Sequence, residues 1–288
     1  MRIVEYWLVR LVLATLAALP LSAAHALARF YVRLLDVAVP RLRRTALRNL
    51  EMAGLAGRER ITAGVFNSLA RLLVSFARFP RITRENVQQW IAYEGFENFE
   101  KARARGNGVL IATAHLGNWE LSAFAHAYLA APMHVVVRPL DNVRIDALIE
   151  ERRALSGNHI IEKKDAARDI LRALNAGGAV GILIDQNTTP DEGVFIDFFG
   201  VKACAGSAFA KLAHRTGAAV VPGYAVWSEN GRRYILRFEP EVETTGDVQQ
   251  DTQRVHARLE AAIRKYPDQW LWIHRRWKTR PEGEPAIY

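Results

Sequence analysis

The sequence predicts an α/β protein: a mostly parallel mixed sheet flanked by helices, with an N-terminal hydrophobic membrane-anchor helix. Three observations carry this. From residue 96 onward, short runs rich in Val and Ile alternate with longer helical stretches. Those runs are apolar throughout rather than at every second residue, the pattern of strands covered on both faces. Finally, LVLATLAALPLSAA, residues 11–24, carries no charge and precedes a strongly basic segment.

The uncharged run is too short for a bilayer span, which takes about twenty residues. Extending it over 6–27 reaches that length only by including Arg10, whose long side chain can snorkel to the interface. It reads as a marginal transmembrane or deeply interfacial anchor. Two alternatives stay open: a cleaved signal peptide, with small-residue sites at AHA and ALA within 24–28, and an ordinary buried helix. Arg29, Arg33, Arg41, Arg43, Arg44 and Arg48 follow directly and oppose translocation. Residues 22–50 read as basic helical segments. The expected organisation is an anchor and basic region over 1–50 and a single α/β domain over 51–288.

Residues 58–79 form an amphipathic helix, with Ile61, Val65, Leu69, Leu72, Leu73 and Phe76 at three-four spacing, and Pro80 stops it. Strands are expected at 109–114, 134–138, 180–184, 219–227 and 234–238. Helices are expected at 96–105, 119–130, 142–155, 165–175, 206–215 and 247–265. The stretch SENGRRY (228–234) reads as a hairpin turn, which makes the last two strands antiparallel neighbours.

The formal net charge is +9, and ten arginines against four acids place +6 of it within residues 1–60. That bias points to anionic partners: phospholipid headgroups, nucleic acid or a phosphorylated substrate. The single cysteine, Cys204, rules out an intrachain disulfide and a Cys-cluster metal site.

The chemistry concentrates in VLIATAHLGNWEL, residues 109–121. His115 stands where an apolar strand ends, the position where open α/β sheets bind ligands. Gly117 and Asn118 turn the chain into a helix whose first turn holds Glu120. A carboxylate there is expected to bond one imidazole nitrogen and raise the basicity of the other, the arrangement of a general base acting on a hydroxyl. The simpler reading is a satisfied histidine with Glu120 serving the helix N-terminus. Asp185 ends a second apolar strand and Arg138 a third. Arg152 falls within the apolar stripe of helix 142–155 and Arg153 at its edge, so each needs an anionic partner: substrate phosphate, Glu120 or Asp185. Backbone amides around Gly117 and Asn118, or a nearby arginine, are the candidate oxyanion donors. QWLWIHRRWKTRP (269–281) interleaves aromatic and basic residues and reads best as a membrane-headgroup segment, with base stacking or core packing as alternatives. No G-x-S-x-G elbow, Walker loop, G-x-G-x-x-G or H-E-x-x-H occurs.

The blocks TAHLGNWEL, VVVRPLDN, GILIDQN, GVFIDFFG and QWLWIHRRWKTRP, in this order over nearly the whole chain, resemble the bacterial lipid A biosynthesis (late) acyltransferases of the lysophospholipid acyltransferase superfamily. The resemblance implies a membrane-bound enzyme at the cytoplasmic face of the cell inner membrane. Such an enzyme moves a fatty acyl chain from a thioester, acyl carrier protein or acyl-CoA, to a hydroxyl of a lipid A precursor. It needs no metal or cofactor and binds no nucleic acid. His115 matches the family's catalytic histidine and Glu120 its acidic partner. Arg153 and Asp185 fall where the family carries a further functional arginine and aspartate, and Arg138 matches its Arg-Pro block. Related enzymes with these blocks acylate mannosylated phosphoinositides from acyl-CoA, which is the alternative reading. A membrane-associated nucleic-acid-binding protein and a metal-dependent transferase using Asp185 are the remote ones.

Overall fold

The computed structural model describes residues 2–162 and 166–288. The chain opens with α1 (Arg2–Ala18) and α2 (Leu21–Ala38), separated at Pro20. This corrects the expected spanning anchor: no described helix is long and apolar enough to cross a membrane. The physical reason is Pro20, which lacks an amide hydrogen and interrupts the uncharged run in its middle. Leu13, Leu16, Ala24, Ala28 and Val32 of the two helices are buried in the core. The opposite sides expose Ile3, Val4, Trp7, Leu8 and Leu11 on α1 and Leu21, Phe30, Leu34, Leu35 and Val37 on α2.

Next come α3 (Pro40–Met52) and α4 (Arg58–Ala77). Helix α4 runs as the spacing predicts, and α1 and α2 both pack on it. The strands and helices then follow as β1 (Ile91–Glu94), α5 (Phe96–Ala104), β2 (Val109–Thr113), α6 (Trp119–Leu129), β3 (His134–Val137), α7 (Val143–Ala154), β4 (His159–Glu162), α8 (Ala166–Asn175) and β5 (Ala179–Leu183). A hairpin of β6 (Gly193–Phe198) and β7 (Val201–Gly206) precedes α9 (Ala208–Thr216), β8 (Ala219–Ser228), β9 (Arg233–Phe238) and α10 (Val248–Lys265).

Among the described residues the main sheet has seven strands in the order β1-β9-β8-β2-β5-β3-β4. All its pairings are parallel except β8 with β9, the neighbours joined by the expected turn. Side chains alternate along each strand, so the sheet feeds two apolar layers. Leu110, Ala112, Val180 and Val220 join the layer with α8, α9 and α10. Val109, Ile111, Ala219 and Leu236 join the layer with α5, α6 and the middle of α4.

Two features of this topology set up the site. Strand β5 lies directly beside β2, so the residues that follow each strand meet at the same edge. Strands β3 and β5 pair only through His134–Val180 and Val135–Gly181.

The C-terminal segment QWLWIHRRWKTRP turns its tryptophans inward. Trp270, Trp272, Trp277 and Arg276 are fully buried. Their aromatic surface goes into the core with Phe198 and Phe199, which corrects the headgroup and base-stacking readings. Asn49 of α3 fixes this segment by donating to the carbonyls of Trp272 and His274, both at 2.7 Å.

Candidate active site

The turn after β2 is stitched on both sides. Gly117 donates to the Gln269 carbonyl and Asn118 to the Ala225 carbonyl, each at 2.8 Å, while Leu271 donates to the His115 carbonyl. Gly117 has φ +67° and its backbone lies against Ala225, so close that a Cβ would sit 1.8 Å from the Ala225 carbonyl oxygen. Only glycine fits there. Asn118 caps α6 by accepting from Leu121, and its amide donates to Ser75 Oγ at 2.6 Å. The expected oxyanion role of the Gly117 and Asn118 amides is therefore corrected: both backbone donors are spent holding the turn.

His115 bonds to Asp185, 70 residues further along the chain. Its Nδ1 lies 2.9 Å from Asp185 Oδ1, and its backbone N–H donates to Oδ2 at 2.9 Å. Trp270 Nε1 donates to the same Oδ2 at 2.8 Å. A buried carboxylate accepting at both oxygens places the imidazole proton on Nδ1 and leaves Nε2 as the acceptor, with the Gln186 side-chain amide 3.4 Å away. His256 Nε2, 3.0 Å from the Ile184 carbonyl, braces the chain just before Asp185.

Burial is the largest influence on His115 and disfavours the imidazolium; the Asp185 charge and hydrogen bond, helped by Glu120, overcome it and hold the ring above its ordinary value. Burial likewise disfavours the Asp185 carboxylate, but the His115 charge and the three hydrogen bonds keep it well below the usual carboxylate range. Without a facing carboxylate the outcome reverses: burial pushes His126 down to about 4. The Trp119 ring packs edge-on to the other side of His115, with centroids 4.9 Å apart.

Glu120, expected to orient His115, is bound elsewhere. Arg153 donates to both of its oxygens, at 2.8 and 2.6 Å. As the second residue of α6, Glu120 faces α7, whereas sheet order brings Asp185 to the histidine. Arg152 is corrected as well. It is half-buried at the end of α4 and donates to the Phe76 and Ala77 carbonyls, which caps that helix. Arg138 is exposed beyond β3, and among the described residues it makes no ion pair.

His115, Glu120, Arg138 and Arg153 line one cavity of about 1110 Å³. Its apolar lining includes Ile111, Phe124, Met133, Val135, Gly181 and Phe238 toward α6, and also Ile170 and Leu171 of α8 and Phe209 and Leu212 of α9. His126 also lines it, two turns along α6 from Trp119, which is roughly 10 Å. Tyr93 Oη lies 2.8 Å from His126 Nδ1, closing the pair among Phe96, Phe99 and Phe238. The space suits a long apolar chain whose reactive end lies at the histidine.

Leu140 and Asp141 of the lining lead to Asn142, which ties this edge of the site to α1. Asn142, the cap of α7, donates to the Arg2 carbonyl and to Glu5, and Leu140 and Val143 beside it are exposed.

Comparison with known proteins gives one consistent result. The family described as bacterial lipid A biosynthesis acyltransferase matches residues 1–279. The lipid A biosynthesis palmitoleoyltransferase of Escherichia coli (strain K12) is 30% identical over 249 residues, covering 84% of this chain and 81% of that protein. The lipid A biosynthesis lauroyltransferase of the same organism is 30% identical over 205 residues, covering 70% and 66%. A lipid A biosynthesis acyltransferase of Haemophilus influenzae is 22% identical over 227 residues, covering 79% and 71%.

Proposed function

Because the chain belongs to the bacterial lipid A biosynthesis acyltransferase family and is an acyltransferase, we propose that it transfers a fatty acyl chain from a thioester carried by acyl carrier protein to a hydroxyl of a lipid A precursor, with His115 as general base. The observation that carries this reading is the His115–Asp185 pair at the mouth of an apolar cavity. The pair explains how a weak base is made strong enough: the carboxylate holds Nδ1–H and stabilises the imidazolium that forms when Nε2 takes a proton. The acceptor hydroxyl is the nucleophile, so no acyl-enzyme forms. Glu120 adds a second negative charge near the ring, and its pairing with Arg153 neutralises a cation that would otherwise oppose the imidazolium. Arg138, exposed on the rim and without an ion pair among the described residues, is suited to an anionic acceptor headgroup. The cavity takes the acyl chain against its apolar lining.

The test is mass spectrometry of lipid A from cells with and without the gene. One additional acyl-sized mass, present only when the chain is expressed, is the expected result. An unchanged lipid A profile, with the mass gain on another glycolipid, would transfer the proposal to that acceptor class.

The enzyme works at the inner membrane from the cytoplasmic side, and it attaches without spanning. The support is the exposed apolar side of α1 and α2, interleaved with Arg2, Arg10, Arg29 and Arg33. This composition suits a helix lying in the headgroup layer: apolar side chains enter the acyl region and arginines meet anionic lipid. Replacing Trp7, Leu8 and Leu11 together by Asp is expected to lower binding to anionic vesicles by roughly tenfold or more. A flotation assay measures this, and unchanged binding by the triple variant sinks the interfacial reading.

A further inference from the structure

The proposed transfer leaves one requirement without a residue. As the acceptor oxygen bonds to the thioester carbon, the carbonyl electron pair moves onto oxygen, and a donor must meet that charge. Of the groups expected from the sequence, Arg138 is exposed and suited to the acceptor headgroup, and the others are engaged. The Gly117 and Asn118 amides hold the turn, and two guanidinium nitrogens of Arg153 donate to Glu120. The backbone amide of Asn187 donates to His274 Nε2 at 3.0 Å. Gln186 is different. It follows Asp185 directly, lines the cavity mouth, and sets its side-chain Nε2 3.4 Å from His115 Nε2. Among the described residues this is the side chain's one hydrogen bond, and it goes to the nitrogen that must receive the acceptor's proton. The Gln186 amide thus stands where the attacking hydroxyl has to sit.

We propose that Gln186 is a catalytic residue of the transfer: its side-chain amide occupies the hydroxyl's seat in the empty enzyme and, displaced by substrate, donates to the carbonyl oxygen of the thioester as negative charge develops. This rests on the reading of His115 as the base. The new carbon–oxygen bond forms as the hydroxyl proton passes to His115 Nε2. The carbonyl pair moves to oxygen, facing the Gln186 amide. Collapse then breaks the carbon–sulfur bond, and the proton on Nε2 leaves with the thiolate as thiol. Ester and thiol are the products, and His115 is restored. A residue tied to Asp185 by one peptide bond keeps the donor in register with the base it serves.

The experiment uses the purified full chain, acyl carrier protein loaded with a palmitoleoyl, lauroyl or myristoyl thioester, and a lipid A precursor as acceptor. Gln186→Met keeps the side chain's size and removes the donor. We expect kcat to fall about 10–100-fold, at or below the low end known for donors sealed from water, with the acceptor KM changed less than threefold. Gln186→Glu, equal in size but unable to donate when ionised, is expected to lose at least as much, and it keeps the test open should the Met variant fold poorly. A fall in kcat of less than fivefold, or a loss confined to KM, in a variant whose thermal unfolding matches the parent overturns the proposal. His115→Ala in the same assay separates the two failures. If it is inactive while Gln186→Met runs at the parental rate, only the role of Gln186 falls. If His115→Ala is itself active, the general-base reading falls with it.

Discussion

Asp185→Asn is expected to lower kcat by roughly 10³–10⁴-fold while leaving the protein folded, because it removes the charge that makes His115 a base and frees the ring to adopt the other tautomer. The size of the effect follows from how completely the carboxylate is committed. One oxygen holds Nδ1, and the other takes the His115 backbone amide and the Trp270 indole. The substitution also moves the pH dependence, in a direction fixed by the charges. The base must be neutral to accept a proton, so the rate rises with pH through the His115 value. In the parent protein that value lies above the ordinary imidazole value, because Asp185 outweighs burial. Without the carboxylate, burial acts with less opposition, as it does at His126, pushed down to about 4. The remaining activity of Asp185→Asn is therefore expected to reach its plateau at lower pH than the parent. A pH–rate profile of kcat measures both effects. An inflection that stays in place would remove Asp185 from the tuning of the base.

Gly117→Ala is expected to destabilise the fold by about 3–5 kcal/mol and to abolish transfer with it. A left-handed backbone alone costs a non-glycine residue about 1–3 kcal/mol. Here the new methyl would also meet the Ala225 carbonyl oxygen at 1.8 Å, its carbon at 2.8 Å and Val226 Cα at 3.0 Å. All three atoms belong to the backbone of a central strand, so the turn must retreat and give up the bonds of Gly117 and Asn118. Gly106 supplies the control. Its φ of +81° is equally left-handed, yet a Cβ there meets nothing within 4 Å. Urea unfolding of the two alanine variants isolates the close approach: Gly106→Ala bears the conformational cost alone. Equal losses in the two variants would assign the whole effect to φ.

The sequence made much of this architecture legible, for reasons visible in particular elements. Strands β2 and β5 lie within a residue of the apolar runs at 109–114 and 180–184, because a strand covered on both faces needs an unbroken apolar stretch. Helices α4, α6 and α10 follow from spacing, Pro80 and the residues that open them. Four strands were not expected. β1 (IAYE) and β4 (HIIE) are four residues long, and half of each is polar or small. The β6–β7 hairpin turns at Phe199 and Gly200, both with positive φ, so its tight loop carries no Asn-Gly or Asp-Gly signal. At the site, the positions of His115 and Asp185 at strand ends were readable, but their pairing was not. It depends on β5 inserting between β2 and β3, and residue spacing carries no information about strand order. Glu120 looked like the partner because it is close along the chain. Gln186 had one available signal, its place in the turn after Asp185. Trp270 had none, since the aromatic-basic composition around it matches a surface segment equally well.

The indole of Trp270 gives the last nineteen residues a stake in the reaction that the cavity walls do not reveal. That stretch reaches Asp185 from behind and is itself moored to α3 through Asn49. Cutting the chain before residue 270 is expected to loosen the carboxylate behind the imidazole and, with the buried Trp270, Trp272, Arg276 and Trp277 gone, to open the core beneath it. This segment works as a keystone: among the described residues it stays out of the cavity lining, and His115 leans on it through Asp185.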